Sequence, residues 1–303
     1  MKSKIFLTIS LFWIVLVGYL VWVNGIVSKG DKSFRWDEWI WFGVVPKVLW
    51  SRTNPADENN LCPWAMRSLL IEDGDKLILI DNGIGDKQDN KFLRHYYLHG
   101  DVNLKSSLAK HGFSLDDITD VFLTHLHFDH CGGSVIWNKD RSGFEMAFKN
   151  AKYWTNKDHW KWATEPNFRE KASFLKENIL PIHKAGHLNF VQSEKNIFNN
   201  FDALFVNGHT EAQMIPHIKY KDRTIVFAAD LLPSTGHIPL SYVMGYDTKP
   251  LVTLTEKEKF LNEAADREYI IFLQHDNYSE CCTVQHTDKG VRLKDIFSLS
   301  EIL

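Results

Sequence analysis

An α/β fold is what this sequence predicts, on three observations. Short apolar runs rich in β-branched and aromatic residues recur at Val121-Phe122-Leu123, Ala203-Leu204-Phe205-Val206, Thr224-Ile225-Val226-Phe227 and Tyr269-Ile270-Ile271-Phe272-Leu273. Runs of this kind, bounded by polar residues, read as buried strands. Each is followed within a few residues by histidine or aspartate, as in Gly208-His209-Thr210, Ala228-Ala229-Asp230 and Gln274-His275-Asp276. Polar groups just past the ends of buried strands are how an α/β scaffold presents a site on one edge. Helical spacing separates the last two runs, with Thr255 and Glu258 placed as a capping box for a helix from Thr255 to Arg267.

The elements follow in order. Ile5 to Val23 is 19 residues without a charge, preceded by Lys2 and Lys4. As a helix it would be about 28 Å long, near the hydrocarbon thickness of a bilayer. Tyr19 and Trp22 stand where an interfacial aromatic belt would put them. We read residues 1–24 as an apolar helix that anchors the chain to a membrane, with a cleaved signal segment, or a buried helix, as alternatives. The domain at 25–303 is then expected on the exported, periplasmic side, or in the cytoplasm if the segment is not a targeting element. Ser33 to Pro46 reads as strand, turn and strand, with Trp36, Trp39 and Trp41 as packing residues. Ser51 to Asn60 is a loop. Met66 to Glu72 and Lys76 to Ile80 form a hairpin about Asp73-Gly74 and lead to Asp81-Asn82-Gly83. Lys91 to Lys110 has helical spacing stopped by Gly112, and Ser114 with Asp117 resembles a helix start. The aromatic-rich stretch Trp137 to Phe198 contains a helix from about Asn167 to Glu177. Its aromatics are read as a satellite apolar cluster, or in part as the wall of an apolar substrate groove.

Composition narrows the function. At 303 residues, with no internal repeat, one catalytic domain after the N-terminal segment is the simplest organisation. Net charge is −3 with scattered basic residues, which is not the footprint of a nucleic-acid binder. Cys62, Cys131, Cys281 and Cys282 have neither zinc-finger nor disulfide-framework spacing.

The chemistry is concentrated at Thr124-His125-Leu126-His127-Phe128-Asp129-His130-Cys131-Gly132-Gly133. In extended chain leaving a strand, His125 and His127 project to the same side and can reach one ion, while Asp129 and His130 point differently and suit a second. Imidazole and carboxylate together favour a borderline cation, zinc first, over calcium or magnesium.

His125, His127, Asp129, His130, His209, Asp230 and His275, with Asp81 after an early strand, occur in an order and spacing that resembles the metallo-β-lactamase superfamily from about Phe34 onward. The resemblance implies a four-layer αββα sandwich with the site at one edge of two sheets. It also implies two Zn2+ ions, other divalent transition metals serving as alternatives. His125, His127 and His209 would hold one, Asp129, His130 and His275 the other, and Asp230 would bridge them. An aspartate at 230 and the adjacent Asp129-His130 pair separate the chain from the true β-lactamases, and His127 separates it from the flavodiiron branch. The strings at 42–47, 54–60 and 245–247 look most like the N-acyl-homoserine lactonase and methyl parathion hydrolase side.

That branch implies a dinuclear zinc hydrolase in which a metal-bridging hydroxide opens a small, apolar lactone or ester. An N-acyl-homoserine lactone is the first candidate, the activity called quorum quenching. Organophosphates, thioesters and a persulfide dioxygenase-like mononuclear iron oxidoreductase are the alternatives. Asp129 is the candidate to pass a proton to the leaving alkoxide, and Asp81 to orient ligating imidazoles. Tyrosine is lacking just after Asp230, where Leu231-Leu232-Pro233-Ser234 stands. Tyr242 and Tyr246 are the nearest candidates to assist at the carbonyl, with packing as the other reading. His183, His187, His217 and His237 match no ligand position. The oligomeric state is left open, a homodimer included.

Overall fold

The computed structural model describes the backbone of residues 34–37 and the whole of residues 42–100 and 102–302. The segment 5–23 and the side chains of Trp36, Trp39 and Trp41 lie outside the described residues. Among those described, no helix is long and apolar enough to cross a membrane.

The fold is mixed α/β and is organised by two sheets. The first runs in the order Leu69–Asp73, Lys76–Ile80, Asp120–Phe122, Lys152–Asn156 and Leu188–Val191. After the antiparallel opening hairpin its neighbours are all parallel. The second runs Phe201–Val206, Gln213–Tyr220, Arg223–Phe227, Ile270–Phe272, Cys281–Thr287 and Gly290–Phe297, with one parallel pairing, Phe227 opposite Phe272.

Alternation along the strands builds the layers. Leu69, Ile71, Ile78 and Ile80 share one apolar cluster with Ile215, Val226, Ile271 and other residues of the second sheet. Their neighbours Leu70, Leu77 and Leu79 point the other way, into a cluster with Leu108, Ala163, Ile179 and Ile182 of three helices. These helices are Leu104–Lys110, Lys157–Thr164 and Lys176–Lys184. Helix Pro250–Asp266 lays Phe260, Leu261 and Ala264 against the second sheet. Each fully buried aliphatic side chain contributes about 1.5 to 3 kcal/mol relative to exposure, so the two clusters hold the sheets in one relative position. The parallel strands then end on a single edge, and the polar residues after them converge there.

Several local expectations are corrected. The second half of 33–46 is not a strand: Val45 N–H donates to the Phe42 carbonyl in a turn that leads into helix Lys47–Trp50. The helical spacing of 91–110 is interrupted, since Tyr97 (φ +46°) and Gly100 (φ +89°) are left-handed and divide it into a short turn of helix and Leu104–Lys110. The helix expected over 167–177 lies instead at Lys176–Lys184 and runs through Pro181. The Asn167 side chain accepts from the N–H groups of Arg169 and Glu170 and holds that stretch as a turn. The last helix begins at Pro250, with proline in its first turn, and Thr255 is interior and bonds back to the Leu251 carbonyl. Ser114 and Asp117 do form a capping box, but on a single 3-10 turn.

Lys257, on this last helix, is only 1% exposed and donates to the carbonyls of His237 (3.0 Å), Pro239 (3.2 Å) and Tyr242 (2.6 Å). It closes the loop that follows Asp230. Lys257→Met would keep the apolar stem but leave three carbonyls without that donor. A loss of about 2 to 4 kcal/mol is expected, read as a lower urea midpoint at unchanged slope.

Candidate metal centre

Each of the seven predicted side chains stands just past a strand end. His125 and His127 follow Asp120–Phe122, Asp129 and His130 lie in the short helix Phe128–Cys131, and His209, Asp230 and His275 follow Phe201–Val206, Arg223–Phe227 and Ile270–Phe272. All seven are buried. They form two groups, His125, His127, His209 and Asp230 in one and Asp129, His130 and His275 in the other, with ligand atoms of each group within 4.8 Å of one another.

Within the first group, His127 Nδ1 is 3.0 Å from His125 Nε2 and 3.2 Å from His209 Nε2, and Asp230 Oδ2 is 3.1 Å from His209 Nε2 and 3.8 Å from His125 Nε2. In the second, His275 Nε2 is 3.3 Å from His130 Nε2 and 3.0 Å from Asp230 Oδ1, and Asp129 Oδ2 is 3.7 Å from His130 Nε2 and 4.0 Å from His275 Nε2. The two oxygens of Asp230 therefore face different groups.

The outer nitrogen of every ring has an oxygen acceptor. His125 Nδ1–H donates to Thr124 Oγ1 (3.1 Å), His127 Nε2–H to Glu170 Oε1 (2.9 Å) and His130 Nδ1–H to Asp81 Oδ2 (2.9 Å). His209 Nδ1–H donates to Asp247 Oδ1 (3.0 Å) and His275 Nδ1–H to the Ala65 carbonyl (2.8 Å). Protons on the outside leave five lone pairs directed inward, beside two carboxylates. Buried lone pairs do not gather without a cation between them. A tetrahedral zinc ion with ligands at about 2.1 Å needs donor atoms about 3.4 Å apart, and the distances here bracket that value. The residues fit two metal ions.

The electrostatics of the metal-free protein agree. Burial works against charge on His209, but Asp230 and Asp247 outweigh it and raise its pKa to about 10. His130 is likewise burdened by burial, yet Asp230 and Asp129 hold it well above the ordinary range. Burial, reinforced by His130 and His127, pushes His125 well below it. Burial opposes the Asp230 carboxylate, and His130, His209 and His275 overcome that and keep it ionised. Protons thus substitute for metal at His130 and His209. The ligating form is the neutral ring, so adding zinc to metal-free protein is expected to release protons, and apparent affinity should fall as pH falls. A pH indicator in weak buffer measures the release.

Asp81, foreseen as an orienting carboxylate, also accepts from the Thr124 N–H and hydroxyl (both 2.8 Å) and from Gln274 Nε2 (3.1 Å). Three other supporting residues were not foreseen. Glu170 holds His127, and its other oxygen accepts from Trp162 Nε1 (2.6 Å), so it stays ionised: burial opposes this, but the His127 bond draws its pKa down to about 2. Asp247 holds His209. His159, fully buried, donates from Nδ1 to the Glu211 carbonyl (2.6 Å) and accepts the Leu126 N–H at Nε2 (2.8 Å), pinning the backbone between His125 and His127. Glu170→Ala is expected to weaken metal retention about 10- to 100-fold, measured by competition with a chromogenic chelator.

Glu170 and its neighbour also fasten the rim. Arg169 Nη2 donates to the carbonyls of Gly245 (2.5 Å) and Asp247 (3.3 Å), so adjacent residues of one turn reach the support of His127 and that of His209. Between them opens a cavity of about 220 Å3 lined by Asp129, Asp230, Phe128, Arg169, Ser173 and Tyr246 among others. Tyr246 thus lines the site cavity, with its hydroxyl buried, whereas Tyr242 packs edge-on against Phe42. His237 stacks on Phe42 at 4.4 Å and bonds Ser234, outside the ligand groups. Of the aromatics in 137–198, Phe148, Trp160, Trp162 and Phe174 belong to the helix-side cluster. Phe174 also meets the His127 ring at 4.8 Å, while Phe168 is 99% exposed.

Residues 67–275 match the family model described as the Metallo-beta-lactamase superfamily. Among curated protein sequences nothing matches. Of solved structures, a probable metal-dependent hydrolase from Staphylococcus aureus is similar, with 25% identity and a TM-score of 0.80 over 93% of this chain and 99% of that one. AidC, a dizinc quorum-quenching lactonase solved with a product, has 22% identity and a TM-score of 0.72 over 89% and 93% of the two chains. The hydrolase AbOPH has 19% identity and a TM-score of 0.68 over 93% and 92%.

Proposed function

The chain belongs to the metallo-beta-lactamase superfamily and is a hydrolytic enzyme, and from that premise we propose that it is a dizinc hydrolase of a small, fairly apolar lactone or ester. N-acyl-homoserine lactones are the first class to test. The observation that carries the reading is the division of Asp230, one oxygen toward each of two groups of inward-facing imidazoles. That arrangement supports two ions and disfavours the single iron of the oxidoreductase alternative. Held by these residues, the ions would supply Lewis acidity toward a carbonyl oxygen and would make water acidic enough to yield the nucleophile hydroxide near neutral pH.

The chain's own residues do the rest. Asp129 lines the cavity with Oδ2 beside His130 and His275, placed to carry a proton to the departing alkoxide. Tyr246 lines the same wall with its hydroxyl buried, so it would reach a substrate oxygen only by turning outward. Phe128, packed by Phe92 and Tyr96, gives the cavity an apolar side that suits an acyl group. Arg169 and Ser173 give it a polar one. The similarity to AidC, a dizinc lactonase, supports both zinc and a lactone. Residues 5–23 would tether the domain to a membrane on its exported side, a reading supported by the sequence alone.

Metal analysis joined to a hydrolysis screen of acyl-homoserine lactones, aryl esters, thioesters and phosphotriesters tests the proposal. Two zinc ions per chain and oxygen-independent lactone opening, lost in His127→Ala, are expected. One iron with oxygen uptake would overturn the reaction class, and turnover of phosphotriesters alone would overturn the substrate class.

A further inference from the structure

A second cavity, about 650 Å3 in volume, shares no lining residue with the site cavity. That size lies within the range of about 300 to 1,000 Å3 usual for small-molecule sites. Its buried lining, the floor of the cavity, is mainly apolar, with Met66, Ile84, Ala147 and Phe148, and includes the polar Ser68 and Asn82. Lys105, Lys139 and Arg141 are exposed and stand at the rim, with Asp86 as the one carboxylate among the lining residues. The Arg141 guanidinium lies over the Trp137 ring at 5.2 Å, which fixes one of the cations above the aromatic wall.

This separation of character selects a ligand. A neutral apolar molecule would use the floor and leave three cations without a purpose, and a small inorganic anion would use the rim and leave the floor wet. A molecule with an unbranched apolar body and one anionic end satisfies both. We propose that this cavity is a binding site for an aliphatic carboxylate, its chain on Met66, Ile84 and Phe148 and its head group among Lys105, Lys139 and Arg141. None of the seven metal ligands lines this cavity.

Isothermal titration of the metal-loaded protein with octanoate and decanoate tests it, with decanol and inorganic phosphate as controls. One decanoate per chain is expected, binding roughly fifteenfold tighter than octanoate because each of its two extra methylenes adds about fourfold when buried. Lys139→Glu, an exposed substitution whose folding circular dichroism verifies, should weaken decanoate about fivefold or more. Leu115 also lines the cavity, so Leu115→Trp, which fills it, should abolish binding, and full affinity in that variant would overturn the proposal. Removing the metals with a chelator should leave the binding in place, which separates this site from carboxylate coordination at the metal centre. Four other results would each overturn the proposal: equal affinity for decanol, no gain from octanoate to decanoate, unchanged affinity in Lys139→Glu, or loss of binding with the metals. Displacement of decanoate by phosphate at similar concentration would also overturn it.

Discussion

Replacing Asp230 with asparagine is expected to lower kcat/KM by about a thousandfold, ~4 kcal/mol of transition-state stabilisation, with little change in the circular dichroism spectrum. The size of the effect follows from where the two oxygens sit. Oδ2 is 3.1 Å from His209 Nε2 and Oδ1 is 3.0 Å from His275 Nε2, so one side chain completes both ligand groups. Asparagine keeps the shape but removes the charge and turns one of the two oxygens into a hydrogen-bond donor facing a cation site. Metal content should fall below two per chain in the same variant, measured by elemental analysis after dialysis. Full occupancy with unaltered turnover would show that the shared carboxylate is not essential.

The second large effect concerns Asp81, which touches no candidate metal position and yet supports two ligands. Its carboxylate accepts from the Thr124 backbone and hydroxyl, from His130 Nδ1 and from Gln274 Nε2, all at 2.8 to 3.1 Å, and it is wholly buried. Its backbone is left-handed, at φ +54°. Asparagine tolerates that conformation, so Asp81→Asn isolates the loss of charge and of one acceptor. The expected cost is about 3 kcal/mol of folding stability, because a buried donor is left facing another donor. A chelator should lower the melting temperature of wild type more than that of the variant, since a weakened His130 binds its ion less well.

Much of the site was legible in the chain because its chemistry is local. Four ligands fall between 125 and 130, and the other three follow apolar runs whose composition marks them as strands. Asp81 was legible for the same reason, standing one residue past Ile80. Glu170, Asp247 and His159 were not, although 245–247 stood out as a string. Each acts through a loop or turn whose path depends on tertiary contacts, such as the Arg169 bonds to Gly245 and Asp247. Helix limits failed where a short-range bond outcompeted spacing. Asn167 holds a turn at the start of the expected helix, and left-handed Tyr97 and Gly100 divide another. The strands, by contrast, are marked by continuous apolar runs such as Leu77 to Ile80, which the structure buries on both faces of a sheet, alternate residues entering different clusters.

The paired attachment of Arg169 and Glu170 bears on how such an enzyme could acquire new substrates. The segment that shapes the entrance is also the one that steadies His127 and, through Asp247, His209. Grafting a foreign loop across 165–173 would therefore exchange more than a selectivity wall: unless the incoming piece brought its own acid and guanidinium in the same order, it would loosen the catalytic metals while remodelling the door. Diversification by point changes at Phe128 and Ser173, which line the cavity and whose side chains bond no ligand's support, escapes that coupling, and directed evolution should find its gains there first.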